Sequence, residues 1–344
     1  IREYIIIVKK LFIAFLSLLF STLPLSACKK PDDGKTTVKI SEVTHSVFYA
    51  PLYLADALGY FGEENITVEL SNGGGADNVM SAVLSGGADV GFCGPEAALY
   101  VLVGGSTDAP KVFGQLTKRD GSFLVSRKAE PDFRWTDLRG KEILAGRKGG
   151  VPAMTFEYVL KNSGLNPANN ADVTLNYDVA FNLMTGAFEA GTADYCTMFE
   201  PTASEYQAAG KGYIVASVGE ASGEVPYTCF CAKNSWLEKN ETTAKGLLRA
   251  VTKAVKYALE TEDSRLAELL KPYFDGTSET ALAASVKSYK KIDAWMKNPA
   301  MTEDSLNRLQ DIISGAGELT RRVTLAELTK NDLAEAVYKE VFTA

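Results

Sequence analysis

Three strand-like runs within residues 38–96 decide the fold: VKISEV (38–43), ITVEL (66–70) and DVGF (89–92). A polar or glycine-rich loop that opens a predicted helix follows each run, at residues 44–49, 71–76 and 93–96. In an open α/β sheet, ligands bind beyond the carboxyl ends of parallel strands, where backbone N–H groups at helix starts lack partners. This stretch therefore predicts one wall of a ligand-binding cleft.

The same scheme of strand, loop and helix recurs over residues 142–217. Strands are predicted at 142–145, 173–176, 194–199 and 213–217. The segment SGGADVGFCGPE around Asp89 parallels AGTADYCTMFEP around Asp194. Glycine at a helix end and proline at the next helix start suit the two helix termini, so shared architecture accounts for much of this parallel. The second unit is expected to supply the opposite wall of the cleft.

A mostly helical segment follows the last strand-like run, at residues 227–232. Helices are predicted over 242–260, 264–273, 279–295, 305–315 and 325–342. The economical arrangement packs this segment back on the first lobe, which makes the second lobe an insertion with crossings near residues 115–121 and 217–228. The predicted lobe one is residues 38–118 with 229–344, and the predicted lobe two is residues 119–228.

The N-terminal residues have the pattern of an export signal, with Lys9 and Lys10, an apolar run at 11–20 and LPLSAC at 23–28. The apolar run is short for a membrane span. The LSAC tetrapeptide resembles the lipobox of bacterial lipoproteins, which implies removal of residues 1–27, a lipidated Cys28 and a tether at residues 28–37 outside the cytoplasm. An ordinary cleaved signal or a short anchor is the alternative. Because the chain lacks an initial Met, Val8 is expected to be the true start.

Charge and cysteine usage exclude several classes of partner. The net charge of −7 includes +2 from the first 27 residues, so the mature chain carries −7 − 2 = −9, and nucleic acid is not an expected partner. Four of the five cysteines lie in strand-like contexts without a CxxC motif or a neighbouring histidine: Cys93, Cys196, Cys229 and Cys231. They are predicted to be buried free thiols, in preference to zinc ligands or disulfides. No metal or cofactor is predicted.

Several ordered motifs give the chain a resemblance to a family of transport proteins. The motifs are APLYLA (50–55), LGYF (58–61), ITVE (66–69), GGG (73–75), SGGADVG (85–91), WTDLRGK (135–141) and FEP (199–201). Together they resemble substrate-binding proteins of ABC importers, in the group that binds sulfonates, taurine, nitrate and thiamine pyrimidine precursors. The resemblance covers residues 38–256.

The resemblance implies a type II periplasmic-binding-protein fold, in which two α/β lobes are joined by two crossing segments and a helical C-terminal segment packs on lobe one. It also implies a monomeric binding protein, without enzymatic activity, that captures a small organic nutrient. The captured nutrient would pass to an ABC permease in the membrane, served by a separate ATPase. Binding is expected to close the lobes about the two crossings.

Candidate ligand-binding residues of lobe one lie in or beside the loops that follow its strands: His45, Phe48, Tyr49, Gly73, Gly74, Gly75, Asp77, Cys93, Gly94 and Glu96. His45, the only histidine, is expected to contact the ligand unless it simply faces water. For Phe48 and Tyr49 the alternative is core packing. The glycines allow close approach of a ligand to the backbone, with a plain helix cap as the alternative. A carboxylate such as Glu96 is stabilised at a helix start even without a ligand.

The crossings and lobe two supply the remaining candidates: Gln115, Gly149, Gly150, Glu200, Tyr227 and Thr228. Arg147 or Lys148 would suit an anionic ligand unless both are solvated. Glu200 follows its strand nearly as Glu96 follows the matching one, so the two acids are expected to face each other across the cleft. Such a pair favours a cationic or amide-rich N-heterocycle, such as a thiamine pyrimidine precursor, over a sulfonate, taurine or nitrate. Backbone N–H groups alone can nevertheless bind anions.

Enzymes on the same fold are the alternative function. Thiamine-pyrimidine synthases carry a C-C-C-F-C run, of which Cys229-Phe230-Cys231 is only a fragment. Sulfinate desulfinases of this fold use a cysteine nucleophile, and Cys93 at a helix N-terminus would then have a lowered pKa. The export signal and the missing run favour a binding protein.

Overall fold

The computed structural model describes residues 34–343, and these residues contain two five-stranded sheets. Sheet one has the order β2-β1-β3-β10-β4, with β1 (Thr36–Glu42), β2 (Ile66–Asn72), β3 (Val90–Cys93), β4 (Pro110–Thr117) and β10 (Thr228–Lys233). Sheet two has the order β7-β6-β8-β5-β9, with β5 (Ser122–Ser126), β6 (Glu142–Leu144), β7 (Thr174–Leu175), β8 (Tyr195–Phe199) and β9 (Tyr213–Ser217). Sheet one and its helices form lobe one, and sheet two and its helices form lobe two.

Helices flank both sheets. Those in and around lobe one are α1 (Ala50–Ala57), α2 (Tyr60–Glu63), α3 (Ala76–Ser85) and α4 (Pro95–Val103). Those of lobe two are α5 (Val151–Asn162), α6 (Met184–Glu189), α7 (Thr202–Ala208) and α8 (Val218–Ser222). The C-terminal segment contains α9 (Asn234–Lys239), α10 (Glu241–Glu260), α11 (Asp263–Leu270), α12 (Glu279–Lys291), α13 (Glu303–Gly315), α14 (Leu325–Leu328) and α15 (Asn331–Tyr338). Short 3-10 turns lie at Val47–Tyr49, Trp135–Leu138, Ala168–Asn170, Phe181–Leu183 and Lys271–Tyr273, and a π-helical turn lies at Lys339–Thr343.

Each sheet contains one strand that runs antiparallel to its neighbours. In sheet one, β1 pairs in parallel with β2 and β3, whereas β10 runs antiparallel between β3 and β4. In sheet two, β6 pairs in parallel with β7 and β8, whereas β5 runs antiparallel between β8 and β9. The chain thus crosses from β4 to β5 and returns from β9 to β10. The lobe boundary predicted after residue 118 lies between β4 and β5. The boundary predicted after residue 228 lies at the first residue of β10.

The repeated Ala-Asp pattern has the same structural role in both lobes. Asp89 Oδ2 accepts a hydrogen bond of 2.8 Å from the backbone N–H of Lys39, in the middle of the neighbouring strand β1 next to the residues that pair with β3. Asp194 Oδ2 accepts one of 3.0 Å from the N–H of Glu142, next to the residues of β6 that pair with β8. Each aspartate therefore anchors the register of two parallel strands, which explains the sequence parallel without any ligand.

The C-terminal helices contact both lobes, whereas the sequence pattern predicts that they pack on lobe one alone. Helix α10 buries one face, at Ala244, Leu247, Leu248, Val251 and Val255, and packs against α1. By contrast, α12 packs against α7 and α13 against α5, both in lobe two. The single helix predicted over 325–342 is interrupted between α14 and α15, where Lys330 N–H donates to Val112 O (2.8 Å) at the edge of sheet one.

A third segment of chain accompanies the first crossing. The N–H of Met296 donates to Leu116 O (2.8 Å), and the N–H of Lys118 donates to Ala294 O (2.9 Å). The helix predicted to end at residue 295 therefore ends at Lys291, because the next residues pair with the crossing. Across residues 34–343, none of the helices has both the length and the apolar character that crossing a bilayer requires.

Candidate functional site

A cavity of about 210 Å³ lies between the two lobes. Lobe one lines it with Val43, Thr44, Tyr49, Gly73, Gly74, Gly75, Ala76, Asp77, Asn78, Gly94 and Glu96. Lobe two lines it with Arg147, Gly150, Val151, Pro152, Ala180, Phe181, Asn182 and Phe199, and the second crossing adds Tyr227 and Thr228. Both predicted walls thus meet at the carboxyl ends of the parallel strands.

Three helices begin at the cavity wall. Gly75, Gly94 and Gly150 are the N-cap residues of α3, α4 and α5, and none of the three helices has a side-chain cap. Their first N–H groups can therefore serve ligand acceptors or a nearby carboxylate. At Gly94 the requirement for glycine is steric, because a Cβ atom would overlap the Glu96 carboxylate.

Glu96 is the buried charged group of the cavity. Its side chain is 2% exposed, and Oε1 accepts a hydrogen bond of 3.3 Å from the N–H of Val151 across the cleft. Oε2 has no hydrogen-bond partner among the residues that the structure describes. Burial raises the pKa of this carboxyl from 4.5 to about 7, against the opposing effects of the Val151 N–H and the Arg147 guanidinium. Glu96 lines the cavity, so a ligand N–H group can reach Oε2 once a small movement of the side chain exposes it.

Arg147 is not a free anion clamp. Its Nε lies 3.6 Å from Asp77 Oδ1, so the guanidinium is paired with a carboxylate of the opposite lobe. Both side chains are about half exposed, so this ion pair is weak. The pair still lowers the attraction of the cavity for a sulfonate or nitrate.

Aromatic rings and hydroxyls form the rest of the wall. Phe181 and Phe199 meet edge to face with ring centroids 6.0 Å apart. Thr228 Oγ1 donates to the Tyr49 hydroxyl at 3.5 Å, and burial raises the pKa of Tyr49 far above its ordinary value, so this hydroxyl stays protonated. Tyr227 lies beside Asp120, a carboxyl whose pKa burial raises to about 6. Such a wall suits a flat ligand with a few polar atoms.

Two aromatic candidates of lobe one lie off the cavity wall. His45 is fixed within lobe one, where its Nδ1 lies 2.8 Å from Glu42 Oε1 and its Nε2 lies 2.8 Å from the carbonyl of Tyr273. Phe48 is fully buried and packs against Phe199 and Tyr289, so core packing accounts for it. The expectation of ligand contact by these two residues is therefore corrected.

Three further candidates also lie off the wall. Gln115 is buried at the first crossing, where its amide nitrogen donates to Thr117 O (3.1 Å). The carbonyl of Gly149 accepts from the Tyr100 hydroxyl (3.0 Å), outside the cavity lining. The carboxylate of Glu200 accepts from the N–H (2.9 Å) and hydroxyl (2.7 Å) of Ser204, so the predicted pair of facing acids does not form.

Cys93, a ligand-binding candidate, lies off the cavity wall, and it lacks the lowered pKa that the enzyme alternative requires. The thiol is 1% exposed at the end of β3, and a hydrogen bond with Cys231 together with burial raises its pKa well above the ordinary value. All four cysteines of the described chain are buried, as the sequence pattern indicates. A nucleophilic role needs a thiolate, which this environment disfavours.

The candidates that reach the cavity are Tyr49, Gly73, Gly74, Gly75, Asp77, Gly94, Glu96, Gly150, Tyr227 and Thr228. Sequence reasoning missed the segment 180–182, which contributes Ala180, Phe181 and Asn182. This segment follows β7 and precedes α6, so the rule that selected the loops after β1, β2 and β3 could also have found it.

Two α/β lobes joined by crossing strands around a ligand-sized cavity define the type II periplasmic-binding-protein fold. Residues 47–264 match the NMT1/THI5-like family, and the chain belongs to that family.

Curated relatives include both binding proteins and enzymes. The chain is 40% identical over 322 residues to "Putative binding protein YtlA" of Bacillus subtilis (strain 168), covering 94% of this chain and 96% of the relative. It is 27% identical over 240 residues to 4-amino-5-hydroxymethyl-2-methylpyrimidine phosphate synthase of Aspergillus parasiticus, covering 65% of this chain and 68% of that enzyme.

Solved structures share the fold at low sequence identity. The periplasmic nitrate-binding protein NrtA from Synechocystis PCC 6803 superposes with a TM-score of 0.73 at 16% identity, over 90% of each chain. The alkanesulfonate-binding protein SsuA from Xanthomonas axonopodis pv. citri, bound to MOPS, gives 0.68 at 18% identity, over 85% of this chain and 97% of that one.

Proposed function

We propose that the protein is the solute-binding component of an ABC importer, which captures a small organic molecule between its lobes and delivers it to a membrane permease. The cavity carries this proposal, because both lobes and the second crossing contribute to its wall. The 40% identical relative that is named as a binding protein supports it. The chain would act as a monomer, with the permease and its ATPase as partners.

The ligand we propose is an N-heterocycle with N–H donors, such as a thiamine pyrimidine precursor, in preference to a sulfonate, taurine or nitrate. The observation that favours this class is the unpartnered Oε2 of buried Glu96, which an N–H donor satisfies and an anion would repel. The pairing of Arg147 with Asp77 weakens the obvious counter-charge for an anion. The aromatic residues Phe181, Phe199 and Tyr227 can cover a flat ring.

A thermal-shift screen of pyrimidines, other N-heterocycles, sulfonates, taurine and nitrate tests the proposal. A ligand that binds only the folded protein raises the melting temperature by mass action, and an aminopyrimidine is expected to give the largest rise. At a concentration 100-fold above Kd, the stabilisation is about 2.7 kcal/mol. A rise with nitrate or a sulfonate and none with any heterocycle would overturn the ligand class.

The location outside the cytoplasm and the lipid anchor at Cys28 are proposals from the sequence, because residues 1–33 lie outside the described part of the chain. Intact-mass measurement of the mature protein tests them, and an unmodified Cys28 would contradict the anchor.

The absence of enzymatic activity also belongs to the proposal. A cysteine-dependent reaction would need a reactive thiol at the cavity, and Cys93 is buried with a raised pKa.

A further inference from the structure

Two buried hydrogen bonds meet at the backbone of Glu200, directly after β8, and a third continues from one of them to Gly121. Ser46 Oγ donates to Glu200 O at 2.7 Å. The N–H of Glu200 donates to the Tyr289 hydroxyl at 2.9 Å, and this hydroxyl donates to Gly121 O at 3.1 Å. The backbone N–H and carbonyl groups of Glu200 are thus both hydrogen-bonded to residues outside β8.

The bond from Ser46 connects lobe one directly to lobe two and must break if the cleft opens there, whereas the bonds of Tyr289 connect lobe two to α12, which packs on both lobes. Ser46 belongs to the loop after β1 in lobe one, and Tyr289 lies on α12, which packs against α11 and the Val47–Tyr49 turn. Glu200 and Gly121 lie at the end of β8 and just before β5, both in lobe two. Every bond therefore runs from lobe one or the C-terminal helices to lobe two.

The bonds are sheltered from solvent. Ser46 is 2% exposed, Glu200 is 1% exposed and Tyr289 is fully buried. A hydrogen bond in such a place is costly to break without replacement, because the separated groups stay unsatisfied until water enters. The Asp77–Arg147 ion pair at the cavity also joins the lobes, but both of its side chains are about half exposed, so it contributes less.

Phe48 and Tyr289 pack behind the cavity wall without lining it. The ring of Phe48 lies between those of Phe199 and Tyr289, with centroid distances of 5.6 Å and 5.0 Å. Phe199 lines the cavity and immediately precedes Glu200. Holding the backbone of Glu200 therefore also fixes the position of a ligand-facing ring.

We propose that Ser46, Gly121, Glu200 and Tyr289 form a closure latch, which holds the lobes together through the Glu200 backbone. Ser46 and Tyr289 are positioning residues: they set the balance between open and closed cleft without touching the ligand. The inference deepens the proposed function, since it assumes that the lobes separate to admit a solute.

Hydrogen exchange of the full-length protein without any ligand tests the latch. The reporter is the Val151 amide, which bonds to Glu96 across the cavity, away from the latch, and is released when the lobes separate. Ser46→Ala removes the bond to Glu200 O together with the bond from the Phe48 N–H, and Tyr289→Phe removes both bonds of the Tyr289 hydroxyl. Each variant keeps most of the packing and is expected to speed Val151 exchange about fivefold. The radius of gyration from small-angle scattering should rise in the same variants.

Ser204→Ala is the matched control. It removes a hydroxyl bond to the same residue, Glu200, but within lobe two, so exchange at Val151 should stay unchanged. Faster exchange confined to residues 199–201 in both latch variants, with unchanged Val151 exchange and radius of gyration, would overturn the latch. Because no ligand is used, this result is independent of the ligand screen, whose failure would count against the solute-binding function alone.

Discussion

Replacing Glu96 with glutamine is expected to weaken ligand binding about 100-fold, or about 2.7 kcal/mol. The carboxylate oxygen Oε2 is buried in the cavity without a partner, so it is the acceptor that a ligand N–H group would use. A glutamine can place an NH₂ group there, which would oppose a donor. Because the pKa of Glu96 is raised to about 7, binding to the wild type should also strengthen between pH 6 and 8. Isothermal titration at both pH values measures both effects.

The same substitution is expected to stabilise the ligand-free protein above neutral pH. The folded state keeps a proton on Glu96 between pH 4.5 and about 7 that the unfolded state has released, so the free energy of unfolding falls as pH rises through this range. Ionising the buried carboxyl costs about 3 kcal/mol, and glutamine removes that cost. Urea unfolding at pH 4.5 and pH 8 should therefore show a gain mainly at pH 8. Equal gains at both pH values would contradict the buried carboxyl.

His45→Ala is the control for both effects. Its hydrogen bond with Glu42 raises the pKa of His45, so the charged imidazole stabilises the fold at acid pH, and this contribution is lost as pH rises through the folded pKa. The variant should therefore lose stability mainly below pH 6.5 and bind ligand normally. A loss of binding as large as that of Glu96→Gln would place the ligand beside His45 instead.

Gly219→Ala is expected to lower the free energy of unfolding by about 3 kcal/mol. Gly219 lies in α8, and a Cβ atom there would overlap the backbone carbonyl oxygen of Asp120 at the first crossing. Backbone cannot rotate away as a flexible side chain can, so the two segments must separate. Urea unfolding measures the loss.

Gly186→Ala is the matched control, since Gly186 lies in α6 and a Cβ atom there meets nothing within 4 Å. Alanine in that helix should leave stability unchanged or raise it by up to about 1 kcal/mol. Similar effects of the two substitutions would contradict close contact between α8 and the first crossing.

The sequence was sufficient for the architecture because local patterns encode it. Strand periodicity and helix-terminal glycines located both sheets, and the Ala-Asp motifs at Asp89 and Asp194 recur because each carboxylate accepts a backbone hydrogen bond from a neighbouring strand. The rule that ligands bind beyond strand ends placed Glu96 and the glycines 73–75 at the cavity.

The incorrect site predictions share one physical cause. A loop brings a residue near the cleft, but the direction of its side chain depends on partners that are distant in sequence. His45 turns to the carbonyl of Tyr273, and Phe48 packs against Tyr289. The carboxylate of Glu200 caps the start of the following helix, α7, while the Glu200 backbone makes a contact between the lobes. None of these partners could be predicted from local sequence pattern.

A crystal structure of the complex with the strongest heterocycle from the thermal-shift screen tests the central claim most directly. The ligand is expected between the two lobes, with a nitrogen donor about 3 Å from Glu96 Oε2 and its ring against Phe181 or Phe199. A ligand bound outside this cavity, or one that places an anionic oxygen beside Glu96, would contradict the account.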